Sequence, residues 1–153
     1  MIMVLNDVLT KQNVITKLTL KDGDKELSKA LKVKIMRIRI AYNKIKQQFD
    51  SDVQEFTKEL VPEELQILAN KEDRTEAETK KLNEMITKIN SEYQEFVLQK
   101  GNEEVLDSLD DFFTLEEYSD ILDINSGNDI EFNGNKITAA DFMEVVYSLF
   151  VKE

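Results

Sequence analysis

The sequence predicts a mainly α-helical protein: a long antiparallel helical hairpin, coiled-coil-like, with a small acidic α+β cap at its C-terminal end. Three observations predict it. From Asp24 to Leu60 there is no Gly or Pro, and Leu31, Ile35, Ile38, Tyr42, Ile45 and Phe49 recur at steps of four and three, one stripe along a helix. After Pro62, the chain's single proline, a second helical stretch of similar length runs to Lys100. Beyond Gly101 the composition turns acidic and the helical period gives way to shorter elements.

Taken in order, the apolar residues Val8, Leu9, Val14, Ile15 and Leu18 follow Asn6, a good N-cap residue, and predict a first helix of about three turns. Gly23 then supplies a turn, and Asp24 is placed to cap the long helix. Lys32 to Ile40 also alternates as a strand would, but that alternation slips a face at Ile35-Met36, whereas the helical period runs on unbroken. The stripe continues through Val53, Phe56 and Leu60, and a helix from Asp24 to Leu60 would be roughly 55 Å long, more than a compact domain of this size encloses. Such a helix needs a partner. Pro62 suits the first position of a new helix, with Glu63 and Glu64 in its first turn. Thr75-Glu76-Ala77-Glu78 is a capping box, and Leu82, Met85, Ile86, Ile89, Tyr93, Phe96 and Val97 form the stripe of the return helix. Two helices on either side of a tight break are expected to share one seam.

In the C-terminal part, Thr114-Leu115-Glu116-Glu117 is a second capping box. Ile130-Glu131-Phe132 and Lys136-Ile137-Thr138 flank Asn133-Gly134-Asn135 as a β-hairpin, and Thr138 caps a last helix carrying Ala139, Phe142, Val145, Val146, Leu149 and Phe150. The expected organisation is residues 1–101 as first helix plus hairpin and 102–153 as the cap packed on the same body.

Composition narrows the chemistry. With no His and no Cys, the commonest general base, zinc constellations and disulfides are all excluded, so an enzyme is disfavoured and no cofactor is expected. No apolar run approaches the roughly 20 residues that cross a bilayer, and Met1 to Leu5 is too short and lacks the basic flank of a signal peptide; the expectation is a cytoplasmic protein without a membrane partner. Charge is uneven: residues 1–20, 21–47, 48–100 and 101–153 carry +1, +6, −6 and −12, for a total of −11. That balance argues against nucleic-acid binding and invites an electrostatic match, either between like molecules or within the chain.

The candidate sites are surfaces. Leu31, Ile35, Met36, Ile38, Ile40, Tyr42, Ile45 and Phe49 are the candidates for the hairpin seam or an oligomer surface; Met36 and Ile40 lie off the main stripe, so one hairpin partner leaves them uncovered. Asp107, Asp110 and Asp111, beside Phe112 and Phe113, are candidates for contact with a basic partner, against the reading of a solvated loop. Lys25, Lys29, Lys32, Arg39 and Lys46 can share the outer face of the long helix, as a binding strip or as its wet side. Asp123 to Glu131 resembles an EF-hand calcium loop, yet Gly127 falls at loop position 5 instead of 6 and Gly134 replaces the bidentate Glu at 12, so an Asn/Gly-rich turn is the better reading and no metal is assigned.

Ala30-Leu31-Lys32-Val33-Lys34, Ile40-Ala41-Tyr42-Asn43, the return-helix segment Asn90-Ser91-Glu92-Tyr93-Gln94-Glu95-Phe96 and the acidic tail together resemble short helical-hairpin proteins of tailed bacteriophages, and the Lys, Asn, Ile and Glu usage fits an AT-rich genome. The resemblance implies a virion or assembly component and carries no functional residues across. The expected function is therefore a non-enzymatic structural or assembly protein acting through other protein subunits, as a homo-oligomer or within a larger assembly, with incorporation in a virion as the setting the resemblance implies. The alternative is an acidic inhibitor that occupies a basic site on a host defence or nucleic-acid-binding protein.

Overall fold

The computed structural model describes residues 2–106, 110–127 and 129–152. The protein is mainly helical, with a few small sheets. In chain order the elements are β1 (Ile2–Val4), α1 (Leu5–Ile15), β2 (Lys21–Asp22), β3 (Lys25–Glu26), α2 (Lys29–Leu60), α3 (Glu63–Asn70), α4 (Glu76–Gly101), β4 (Glu104–Leu106), α5 (Leu115–Ile124), β5 (Ile130–Phe132), β6 (Asn135–Ile137) and α6 (Ala139–Phe150). β1 pairs with β4, β2 with β3 and β5 with β6. The chain forms two compact units, residues 1–46 with 105–153 and residues 47–104, so the division falls within α2 and at β4, not at Gly101.

The first unit holds the core. Val8, Val14 and Ile15 of α1, Leu31, Ile35, Ile38 and Tyr42 of α2, Ile121 of α5, and Phe142, Met143, Val146 and Phe150 of α6 are buried in one cluster. Each fully enclosed Leu, Ile or Phe stabilises the fold by about 1.5–3 kcal/mol relative to exposure. Arg39 is a half-buried tie: its guanidinium donates to the carbonyls of Ile15 (3.0 Å) and Leu18, closing the free C-terminal end of α1, and burial lowers its pKa. Val151 and Phe113 form a parallel bridge, with Phe113 N–H donating to Phe150 C=O at 2.6 Å.

Local chemistry explains the element boundaries, including three that differ from expectation. Asp24 does not cap the long helix. Residues 21–26 close on themselves as a hairpin, Asp22 opposite Lys25, around Gly23 at φ +60°, the left-handed value suited to the first position of a two-residue turn. The helix begins instead at Lys29, where Ser28 Oγ accepts the Leu31 N–H at 3.2 Å. Likewise Asn6 is not an N-cap, because α1 already starts at Leu5, directly after β1. The two capping boxes form in full at Thr75/Glu78 and Thr114/Glu117, and Thr138 Oγ1 accepts the Asp141 N–H. In the last hairpin Asn133 (φ 52°) and Gly134 (φ 79°) are the two central turn residues, which moves Asn135 from the expected turn into the strand opposite Phe132.

The second unit is thinner. Leu68 and Leu82 are its buried apolar residues among those described, with Phe56 stacked on Phe96 at 4.1 Å between ring centroids. Asp52 pairs with Lys100 at 2.9 Å, and Lys81 with Glu64. The expected seam is only partly filled: Ile86 and Tyr93 on the α4 stripe are exposed. The α2 stripe from Leu31 to Tyr42 is buried in the core of the first unit.

Candidate interaction surface

Between Lys29 and Phe49 the chain has seven Lys or Arg residues and no Asp or Glu. On a helix these residues sort by angle. Leu31, Ile35, Ile38 and Tyr42 face the core, with Ile45 half-buried against it; Phe49, also half-buried, lies in the second unit. Lys29, Val33, Arg37, Ile40 and Lys44 succeed one another at steps of four, four, three and four, which is a stripe on the opposite side, and Met36 lies beside it. All six are exposed; Val33, Met36 and Ile40 keep 38%, 51% and 61% of their surface in contact with solvent. The structure therefore separates the eight candidate residues: Met36 and Ile40 form an open surface, Leu31, Ile35, Ile38 and Tyr42 do not, and Val33, which helical spacing alone could have added, joins the first two.

The cations of this outer face are not the five expected. Lys25 pairs with Asp123 (3.4 Å), Lys32 with Glu26, and Arg39 is tied to α1 carbonyls. Lys34 reaches round to the segment before α5, donating to Phe112 C=O (2.6 Å) and Glu117 Oε1 (3.1 Å). For Glu117 burial alone would raise the carboxyl pKa, but hydrogen bonds from Thr114 and Lys34 and the charge of Lys34 outweigh it and hold the carboxyl below its ordinary value. Lys29, Arg37 and Lys44 are left without an ion pair among the described residues. An apolar stripe bearing unpaired cations suits an acidic, partly apolar partner.

The proposed acidic surface needs correction. Asp110 is exposed and Asp107 lies outside the described residues, but Asp111 has no solvent exposure at all. Its Oδ2 sits 2.6 Å from Lys11 Nζ and also accepts the Tyr42 hydroxyl, while Oδ1 is buried with no hydrogen-bond partner. A carboxylate taken out of water is tolerated only with a counter-charge, so Lys11, itself 7% exposed, is the condition for Asp111 being there. The ammonium also lies 4.9 Å from the centroid of the Phe112 ring and 5.6 Å from that of Phe150. This cluster ties α1, α2 and the approach to α5 together and presents nothing to a solute. One signal for it was legible: Lys11 occupies the apolar stripe Val8, Lys11, Ile15, where a cation requires a buried partner.

The loop after α5 also serves the fold. Asn125 is buried, its Oδ1 accepting the Thr19 N–H (2.8 Å) and its Nδ2 donating to the carbonyls of Thr19 (3.0 Å) and Ile121 (2.8 Å). The oxygen at position 3 of the calcium-like stretch is thus committed to backbone. Among the described residues, no three Asp or Glu side chains converge as a metal site, and no helix is long and apolar enough to cross a membrane. No family model, curated protein or solved structure matches this chain.

Proposed function

We propose that the protein is a non-enzymatic assembly component that acts through protein–protein contacts, and that the outer face of α2 is a contact surface. The observation that carries this reading is the exposed row Val33, Met36 and Ile40, set among the unpaired cations Lys29, Arg37 and Lys44. The lack of His and Cys supports the non-enzymatic part. Partial exposure of Ile86 and Tyr93 on α4 supports further apolar contact in the second unit. There, Phe56 against Phe96 and Asp52 against Lys100 support reading Gln47 to Leu60 and the end of α4 as a short antiparallel helical hairpin. A setting among virion components rests on the sequence resemblance alone.

Lys29 to Lys44 spans about 24 Å of helix with a face roughly 10 Å wide, or about 250 Å², against about 800 Å² per partner in a standard stable interface. The contact is expected to be micromolar or weaker if α2 acts alone. Sedimentation velocity over a concentration series tests the proposal. The wild-type mass should rise above the 17.8 kDa of one chain, and Met36→Glu/Ile40→Glu should abolish the rise while leaving the thermal melt unchanged. A wild-type protein that stays at the mass of one chain at millimolar concentration overturns it.

A further inference from the structure

The charge and spacing of α5 point to an occupant for the α2 face. α5 carries Glu116, Glu117, Asp120 and Asp123 and no cation. Glu117 is held by Lys34, but Glu116 and Asp120 are exposed and have no ion pair among the described residues. On the same helix Leu115 and Leu122 are 65% and 36% exposed, seven residues apart, with the small Ser119 between them. The outer face of α2 has the converse pattern: Val33 and Ile40 are seven residues apart, Met36 stands between them, and the flanking charges are positive. A long side chain facing a gap of matching pitch is how ridges of one helix enter the grooves of another.

Resting on the assembly reading above, we propose that the α2 outer face of one copy docks on the exposed edge of α5 of a second copy. Val33, Met36 and Ile40 lie against Leu115, Ser119 and Leu122, with the cations that flank the α2 face, Arg37 and Lys44 among them, turned toward the acidic edge of α5 that carries Glu116 and Asp120. Each copy offers both halves of the contact, so association closes as a two-fold pair if both are used at once and extends head-to-tail if they are not. The match of opposite charge on two apolar helical faces favours a second copy over an unrelated acidic protein.

The test reverses each half separately. Variant one is Arg37→Glu/Lys44→Glu and variant two is Glu116→Lys/Asp120→Lys. Each alone should lose self-association by about tenfold or more in Kd, because like charges then face one another in every pair. An equimolar mixture should regain it, since acidic α2 of the first then meets basic α5 of the second and the reverse. Lysine at position 116 opposes the helix dipole, so Leu115→Ser/Leu122→Ser gives an independent variant that keeps the charge and should lose association too. If wild type associates, the α2 variants block it and both α5 variants leave it intact, the contact surface stands and its assignment to α5 of a second copy falls. Failure of the mixture to regain association when both charge variants are folded also overturns the assignment. A wild type that does not associate at any concentration overturns this pairing together with the reading it rests on.

Discussion

Replacing Lys11 with Met leaves the Asp111 carboxylate enclosed without its counter-charge, and the structure sets the size of the effect. The ions are 2.6 Å apart with side-chain exposures of 9% and 0%. At an effective dielectric of about 20 their Coulomb attraction is about 6 kcal/mol, most of which offsets the desolvation of the two groups. Breaking a buried pair from one side destabilises by about 3–5 kcal/mol. At about 2–4 °C per kcal/mol for a chain of this length, Lys11→Met should lower the melting temperature by roughly 6–20 °C, followed by circular dichroism. Asp111→Asn retains a short polar side chain for the Tyr42 hydroxyl and should be milder. The double variant Lys11→Met/Asp111→Asn should be more stable than the sum of the single losses predicts, by about 1–3 kcal/mol of coupling. A Lys11→Met protein within about 1 kcal/mol of wild type, or single losses that simply add, would refute the reasoning that these charges depend on each other.

Three further outcomes follow from the same contacts. Glu117 is depressed below its ordinary pKa of 4.5, so its contribution is present at neutral pH and is lost as pH falls through the lower folded value; Glu117→Gln should be less stable than wild type at pH 7 by up to about 1 kcal/mol, and the two should converge in acid, as read by urea titrations at stepped pH. Thr75→Ala removes the oxygen that accepts the Glu78 N–H at 3.1 Å, and should lower stability by about 1 kcal/mol in unfolding titrations, an effect that Thr75→Ser largely avoids. With Leu68 and Leu82 as the buried apolar residues of its helices, the unit of residues 47–104 should exchange its amide hydrogens faster than α6 and the core-facing part of α2, and equal protection throughout would contradict that thin core.

Helices were the most legible part of the sequence because their signals are local. The boxes Thr75/Glu78 and Thr114/Glu117 need only four consecutive residues to specify a helix start, and Asn133-Gly134 needs only two to specify a turn. What periodicity cannot supply is the partner of a stripe. Leu31 to Tyr42 reads equally well as one side of a helical hairpin or as one wall of a core built with α1, α5 and α6, and the second is what forms. The capping of α2 was misplaced for a similar reason: Asp24 and Ser28 are both good caps, and only the β2–β3 pairing selects Ser28. Of the surface, Met36 and Ile40 were legible by exclusion from the stripe. Asp111 was not, because an acid in a run of acids looks solvated until a buried Lys11, one hundred positions away in sequence, is brought to it.

Because the chain contains no Cys, a single introduced thiol reports one surface without ambiguity. The most direct measurement is the maleimide labelling rate of Val33→Cys, on the α2 outer face, over a rising concentration of otherwise wild-type protein, with Glu72→Cys in the exposed α3–α4 loop as reference. If the outer face of α2 is a contact surface, the thiol at position 33 becomes progressively protected as concentration rises while the one at 72 reacts at a constant rate. A thiol at position 33 that stays as reactive as the one at 72 while the protein associates would mean that the contact lies elsewhere.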